Sequence, residues 1–292
     1  MRNTLLALSL LFPLFTFAKD YTGVDGRKVS LVGVPPKILV LNASNVEIFY
    51  GLGKQELIVG TDMSVRFPPE TESIPKVGHP YRPSVEGMIS LKPDLVLSSE
   101  ENLSPSTAEQ LRTAKIPVLI IENSGKDGIE GLKNRVRFIA TLTGAEDKGK
   151  ALVEKIDNDL LALSKKTKTL KPNLKVFFLY AHGPGDAYVY GRETGSHALI
   201  ELIGATNAAD FTTGTKPLTS EAMVQASPDV IIMLHRGLKA VGGIDGALKL
   251  PGVSLTPAGK NKKIVAVDDS IRWVSPRFPE FGDKLFNDII AK

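Results

Sequence analysis

Short apolar runs of strand length recur along this chain, and they are continuous rather than alternating. They are Lys37-Ile38-Leu39-Val40-Leu41, Leu95-Val96-Leu97, Val118-Leu119-Ile120-Ile121, Val176-Phe177-Phe178-Leu179-Tyr180, Val230-Ile231-Ile232-Met233-Leu234 and Ile264-Val265-Ala266-Val267. A strand that is apolar on both faces has to be covered on both faces, the situation of a parallel sheet sandwiched between helices. Helical stretches such as Ser106 to Ala114 and Gly195 to Ile203 lie between the runs. The pattern predicts an α/β fold with parallel central sheets.

One segment breaks the alternation. Ala145 to Leu170 places Leu152, Ile156, Leu160, Leu161 and Leu163 between charged residues, with Glu146 and Asp147 near its start and Lys165, Lys166 and Lys168 near its end. That charge order complements a helix dipole. A single helix of about 20–25 residues, roughly 30–37 Å long, is expected, ended by Lys171-Pro172. Its mid-chain position makes it a strut between two lobes, although one more surface helix is the plainer reading.

An internal repeat favours the strut. Glu86-Gly87-Met88-Ile89-Ser90-Leu91-Lys92-Pro93-Asp94 precedes one apolar strand, and Glu221-Ala222-Met223-Val224-Gln225-Ala226-Ser227-Pro228-Asp229 precedes another. Glu, Met, Pro and Asp fall at the same offsets, on either side of the long helix. At 292 residues the chain is long enough for two cores. The expected division is a leader at 1–18, an N-terminal lobe at 19–144, the helix at 145–170 and a C-terminal lobe at 171–292, with a ligand cleft between the lobes.

The leader is read from Met1-Arg2-Asn3, the apolar stretch Leu5 to Phe17 and the small residues at Thr16 and Ala18. This is the pattern of a secretory signal peptide cleaved after Ala18, and the apolar stretch is short for a membrane span. A periplasmic location is expected. There is no Cys, which removes disulfides, thiolate metal sites and a lipid-modified cysteine. A net charge of +4 without a dense basic block argues against nucleic acid as a partner. Catalytic signatures are also missing. Gly183-Pro184-Gly185-Asp186 lacks the Lys-Ser/Thr of a phosphate loop, and neither a Gly-x-Ser-x-Gly elbow nor a His-Glu-x-x-His motif occurs. The chain is read as a carrier, not an enzyme.

These features resemble the substrate-binding proteins of bacterial ABC importers, in the group whose lobes are joined by one long helix and whose cargo is haem, cobalamin or a ferric siderophore. Leu91-Lys92-Pro93-Asp94-Leu95-Val96-Leu97 is shared across that group. Arg236-Gly237-Leu238 with Val241-Gly242-Gly243-Ile244-Asp245-Gly246, Leu250-Pro251-Gly252-Val253, Gly191-Arg192-Glu193-Thr194, and Asp268-Asp269-Ser270 leading to Ser275-Pro276-Arg277 are similar to stretches of the periplasmic haem carriers. The usual Gly is replaced by Ser at 275.

The resemblance implies haem as the transported ligand, with ferric siderophore or cobalamin as the alternative. It also implies an ABC permease with its ATPase subunits as partners and a monomeric carrier. The iron-ligand candidates are His79 and Tyr81, in Val77-Gly78-His79-Pro80-Tyr81-Arg82-Pro83, followed by His182 and His235 at strand ends. The usual ligand Tyr of the family aligns with His79 and Tyr81 lies two residues later, so both stay open. Phenolate and imidazole both serve ferric haem. Arg82 and Arg236 are the candidates for the haem propionates, with Arg272 and Arg277 in reserve. Tyr188, Tyr190, Trp273 and Met63 are candidate walls for the macrocycle, and His197 is read as structural. Glu86 and Glu221, matched in the repeat, are the candidates for docking on the permease.

Overall fold

The computed structural model describes residues 18–183 and 186–291. The expected signal peptide therefore lies outside the described residues, apart from Ala18. The N-terminal half runs β1 (Ala18–Thr22), β2 (Lys28–Val32), β3 (Ile38–Val40), α1 (Ala43–Gly51), β4 (Ile58–Gly60), β5 (Gly78–His79), β6 (Arg82–Pro83), α2 (Val85–Ser90), β7 (Leu95–Ser99), α3 (Pro105–Thr113), β8 (Val118–Ile121) and α4 (Gly128–Leu142). Four of these strands form a parallel sheet in the order β4-β3-β7-β8. Its strands are almost wholly buried, as continuous apolar runs require.

α5 (Glu146–Thr167) is one unbroken helix of 22 residues. Acidic Glu146 and Asp147 occupy its first turn and Lys165 and Lys166 its last. Its first half buries Leu152, Val153 and Ile156, and its second half Leu163. Gly149 sets the approach to α4, because a Cβ there would stand 2.5 Å from the Ala140 Cβ.

The second half continues with β9 (Lys175–Gly183), β10 (Asp186–Tyr190), α6 (Gly195–Leu202), β11 (Thr206–Asn207), β12 (Thr215–Pro217), α7 (Ser220–Ala226), β13 (Val230–Leu234), α8 (His235–Ala240), α9 (Gly243–Ala247), α10 (Pro257–Lys260), β14 (Ile264–Val267) and α11 (Phe278–Ile290). Strands β11, β9, β13 and β14 are parallel, as expected. The sheet is nevertheless mixed, since β10 and β12 extend it antiparallel beside the far end of β9. The cause is the length of β9. It outruns its parallel neighbours, and the chain folds straight back on it as a hairpin.

The repeat in the sequence is a repeat in space. Ser84 and Thr219 cap α2 and α7 by accepting from the N–H three residues on, at 3.1 Å in each case. Met88 and Met223 are fully buried. Lys92 and Ser227 end the two helices with φ of 47° and 45°. The N–H groups of Asp94 and Asp229 then donate to the carbonyls of Lys37 and Lys175, both at 2.8 Å. Each lobe thus feeds its second core strand into the sheet through the same turn.

Separate apolar clusters fill the outer side of each sheet, around Leu39, Met88 and Val96 in one lobe and Phe177, Met223 and Met233 in the other. A third cluster runs through both lobes and includes Leu152, Val153 and Ile156 of α5. Polar joints add to it. The Val274 carbonyl accepts from Ser44 Oγ at 2.6 Å and from Arg135 Nη2 at 2.8 Å. Arg277 donates to the buried Glu47 carboxylate through Nη2 at 2.9 Å and Nε at 3.3 Å.

Candidate functional site in the cleft between the lobes

A cavity of about 450 Å³ opens between the lobes, within the size range of small-molecule sites. The N-terminal lobe lines it with Tyr81, Glu101 and Asn123-Ser124-Gly125. The C-terminal lobe contributes Tyr190, Glu193, Thr194, Arg272 and Trp273. Nearly all of these lie just past a strand end, where α/β lobes present their loops to ligands. A larger groove of about 680 Å³ runs along α5 and α11, but its charges pair with one another, Lys166 with Asp283, Lys155 with Asp159 and Lys284 with Asp288.

Tyr81 stands at the tip of a two-strand hairpin. The register pairs Gly78 with Pro83 and His79 with Arg82, leaving Pro80-Tyr81 as the turn. Asn102 Nδ2 donates to the Pro80 carbonyl at 3.0 Å and holds this tip in place. Asn42 Nδ2 donates both to Asn102 Oδ1 at 2.7 Å and to Glu101 Oε1 at 2.9 Å. The hairpin tip and the Glu101 carboxylate therefore belong to one hydrogen-bonded unit.

Tyr81 keeps 44% of its surface accessible, yet its phenol pKa is pushed up to about 12. Desolvation among the surrounding cleft atoms is the main cause. The Arg272 charge opposes it, and Tyr190, Glu101 and Tyr180 add to it. Tyr190 is raised for the same first reason and is also counteracted by Arg272. The cation acting on both phenols thus comes from the opposite lobe to Tyr81, not from its neighbour Arg82.

Arg272 stacks on Trp273, 4.3 Å from the ring centroid, and lies 5.9 Å from the Tyr180 ring. Trp273 is buried, which fixes the platform. Tyr190 packs edge-on against Phe178 at 4.9 Å and Tyr180 at 5.8 Å. This wall is aromatic, carries the Arg272 guanidinium, with that of Arg236 5.7 Å from the Tyr180 ring centroid, and is held by the sheet below it.

Glu101 Oε1 accepts from the Ser124 N–H, the Ser124 hydroxyl and Asn42, while Oε2 is buried without a hydrogen-bond partner. Burial raises the Glu101 pKa, against the pull of Ser124 and Arg135. Arg135, fully buried behind it, is lowered to about 10 by desolvation. Glu193, with φ of 60°, lies where the cleft meets a flanking hollow of about 550 Å³ that Arg192 and His197 also line.

Of the residues singled out in the sequence, Tyr81, Tyr190, Arg272 and Trp273 line the cleft. His79, Arg82, His182, His235 and Arg236 are not among its lining residues. His79 lies on the hairpin beside Tyr81, with ring centroids 5.6 Å apart, and its Nδ1 accepts from the Tyr81 N–H at 3.3 Å. In a neutral imidazole that bond leaves the ring proton on Nε2. His182 stacks edge-on against Tyr180 at 4.5 Å. His235 opens α8 and is exposed. Arg236 donates to the Tyr180 hydroxyl at 3.0 Å and faces Asp269 at 3.7 Å. His197 bridges Asn207 and Glu201. Glu86 and Glu221 are exposed on α2 and α7. Among the described residues no group of three or more His, Asp or Glu is placed to hold a metal ion.

Sequence reasoning passed over Glu101, Ser124 and Asn42. The signal for the first two was present, since Glu100-Glu101-Asn102 and Glu122-Asn123-Ser124 directly follow apolar strands.

The chain is 34% identical over 269 residues to the uncharacterized ABC transporter substrate-binding lipoprotein YvrC of Bacillus subtilis, covering 91% of this chain and 83% of the relative. It is 28% identical over 265 residues to the cobalamin-binding protein of Halobacterium salinarum, covering 86% and 69%. The apo structure of the periplasmic haem-binding protein RhuT from Roseiflexus sp. RS-1 superposes with a TM-score of 0.81 at 34% identity, covering 88% and 98%. Proteins of this kind bind and hand over a transported substrate and are not enzymes. With residues 38–271 matching the periplasmic binding protein model, the chain belongs to the periplasmic binding protein family of ABC importers.

Proposed function

We propose that this protein captures ferric haem in the cleft between its lobes and delivers it to an ABC permease at the inner membrane. The observation that carries the reading is Tyr81, a phenol held at the tip of a tethered hairpin inside the cleft, under the influence of Arg272 from the opposite lobe. Ferric iron is a hard cation that accepts phenolate. Tyr81 is the axial donor in this account, and His79 fixes the hairpin through its Nδ1. Arg272 takes a propionate, while Tyr190 and Trp273 wall the macrocycle. Signal-peptide cleavage after Ala18 releases the carrier into the periplasm. The matched carboxylates Glu86 and Glu221 register the two lobes on a two-subunit permease.

Cobalamin is the second reading, favoured by the similarity to the Halobacterium protein. Cobalamin brings its own axial ligands and asks for no protein phenolate, so Tyr81 weighs toward haem. The test is titration of the purified protein with hemin, cyanocobalamin and a ferric hydroxamate in parallel. A saturable one-to-one or two-to-one Soret change with hemin, and no competition from the other two, supports the proposal. Tight cobalamin binding without a Soret change overturns it in favour of the alternative.

A further inference from the structure

Two exposed apolar side chains occupy equivalent places in the repeat. Ile89 on α2 is 38% exposed and Val224 on α7 is 44% exposed. Each follows its glutamate by three positions, Glu86 and Glu221, so each shares a helix face with that carboxylate. Along Glu86-Gly87-Met88-Ile89-Ser90 and Glu221-Ala222-Met223-Val224-Gln225 the burial sequence is identical, with the buried Met pinning the helix and the Glu and the aliphatic residue both turned outward. Neither carboxylate has an ion-pair partner among the described residues. The two helices are capped alike and end alike, so the two Glu–aliphatic pairs are presented at corresponding positions on the two lobes.

Exposed aliphatic side chains occur singly on any surface and then need no explanation. Here the same chemistry appears twice, at the same offset from an unpaired acid. On the importer reading above, we propose that Ile89 and Val224 are paired anchor points for the permease. Each would bury in an apolar hollow of one permease subunit, beside a basic residue that meets Glu86 or Glu221. The occupant is a two-subunit partner, because the surface itself is duplicated and its unpaired acids call for basic complements. The carboxylates govern encounter and salt dependence, whereas the aliphatic pair governs residence.

The test uses the full-length mature protein and its permease–ATPase complex in nanodiscs, with binding measured at several salt concentrations. Ile89→Ser and Val224→Ser are each expected to weaken binding about tenfold and the pair about a hundredfold, mainly through faster dissociation and with the salt slope retained. Glu86→Gln with Glu221→Gln should instead flatten the salt slope. The swap Ile89→Val with Val224→Ile should keep near-parental affinity. Hemin titration and thermal melting of each variant should match the parent, which separates this inference from the haem assignment. A parent that binds the nanodiscs but not hemin would sink the cargo reading and leave the docking inference standing. Unchanged binding of the Ser pair, with weakened binding of the Gln pair, would overturn the role of the aliphatic residues. So would dimerisation of the carrier that the Ser pair abolishes, since the face would then belong to self-association.

Discussion

Arg277 and Glu47 clasp the two lobes together. The guanidinium donates to both carboxylate oxygens, at 2.9 and 3.3 Å, while stacking 3.6 Å from the Phe67 ring centroid and 4.8 Å from that of Phe281. Glu47 is buried, and desolvation raises its pKa while Arg277 works to lower it. Removing Arg277 leaves a buried carboxylate without its counter-charge, a loss of about 3 kcal/mol.

Arg277→Met should therefore lower stability in urea titrations, by an amount that depends on pH. Without Arg277 the folded-state pKa of Glu47 climbs further above its unfolded value. The folded protein then holds a proton that the unfolded chain releases, so stability falls as pH rises through that window. The deficit should be larger at pH 8 than at pH 5, and a deficit independent of pH would contradict the account. Together with the continuous α5, the clasp predicts little closure. The radius of gyration from small-angle scattering should stay unchanged when hemin is added.

Coordination by Tyr81 has its own pH signature. The free phenol, with a pKa of about 12, is protonated throughout the physiological range, and a bound phenolate has lost that proton. Binding of the haem that Tyr81 coordinates then releases that proton, and its affinity should rise about tenfold per pH unit between pH 6 and 8. A neutral imidazole donor would give a nearly flat profile above pH 7. Hemin binding isotherms across that range decide between them.

Arg272 is the cation that faces Tyr81 and Tyr190. Arg272→Met should weaken hemin binding by about 2 kcal/mol, the scale of a charge-assisted hydrogen bond. Arg272→Lys should recover only part of this, because an ammonium does not stack on Trp273 as a guanidinium does. The dimethyl ester of hemin, which lacks the propionate charge, should bind both variants and the parent alike.

Gly195 opens α6 against the segment that carries Arg272. A Cβ at this position would lie 2.5 Å from the carbonyl oxygens of Ile271 and Arg272 and 2.6 Å from the Arg272 carbonyl carbon. These are backbone atoms and cannot swing away. Gly195→Ala should cost about 1–3 kcal/mol by overpacking and should also weaken hemin binding, because it displaces Arg272. Calorimetric melting and hemin titration of the same variant check both effects.

The parts of this architecture that depend on local pattern were readable in the sequence. The apolar runs gave the core strands, the charge order of residues 145–170 gave α5, and the Glu-x-Met…Pro-Asp repeat gave two lobes with a common turn. The antiparallel extension by β10 and β12 was not readable, because the apolar run 176–181 within β9 looks the same whichever partner covers its far end. The cleft was partly readable. Tyr81 could be singled out beside His79, but that Tyr81 and not His79 lines the cavity is visible only in the folded chain. Arg272 acts on Tyr81 only because the lobes meet, a relationship that spacing along the chain cannot encode. Asn42 serves Glu101 and Asn102 across a gap of 59 and 60 positions, which local pattern cannot encode either.

On the haem reading a phenolate from Tyr81 grips the iron inside the cleft, and absorbance titration with hemin checks this. The parent protein should show a saturable Soret band with the charge-transfer features of a ferric phenolate. His79→Ala should keep that band, and Tyr81→Phe should lose it together with at least a hundredfold in affinity, about 3 kcal/mol. An unchanged spectrum and affinity in Tyr81→Phe would rule out Tyr81 as the iron donor.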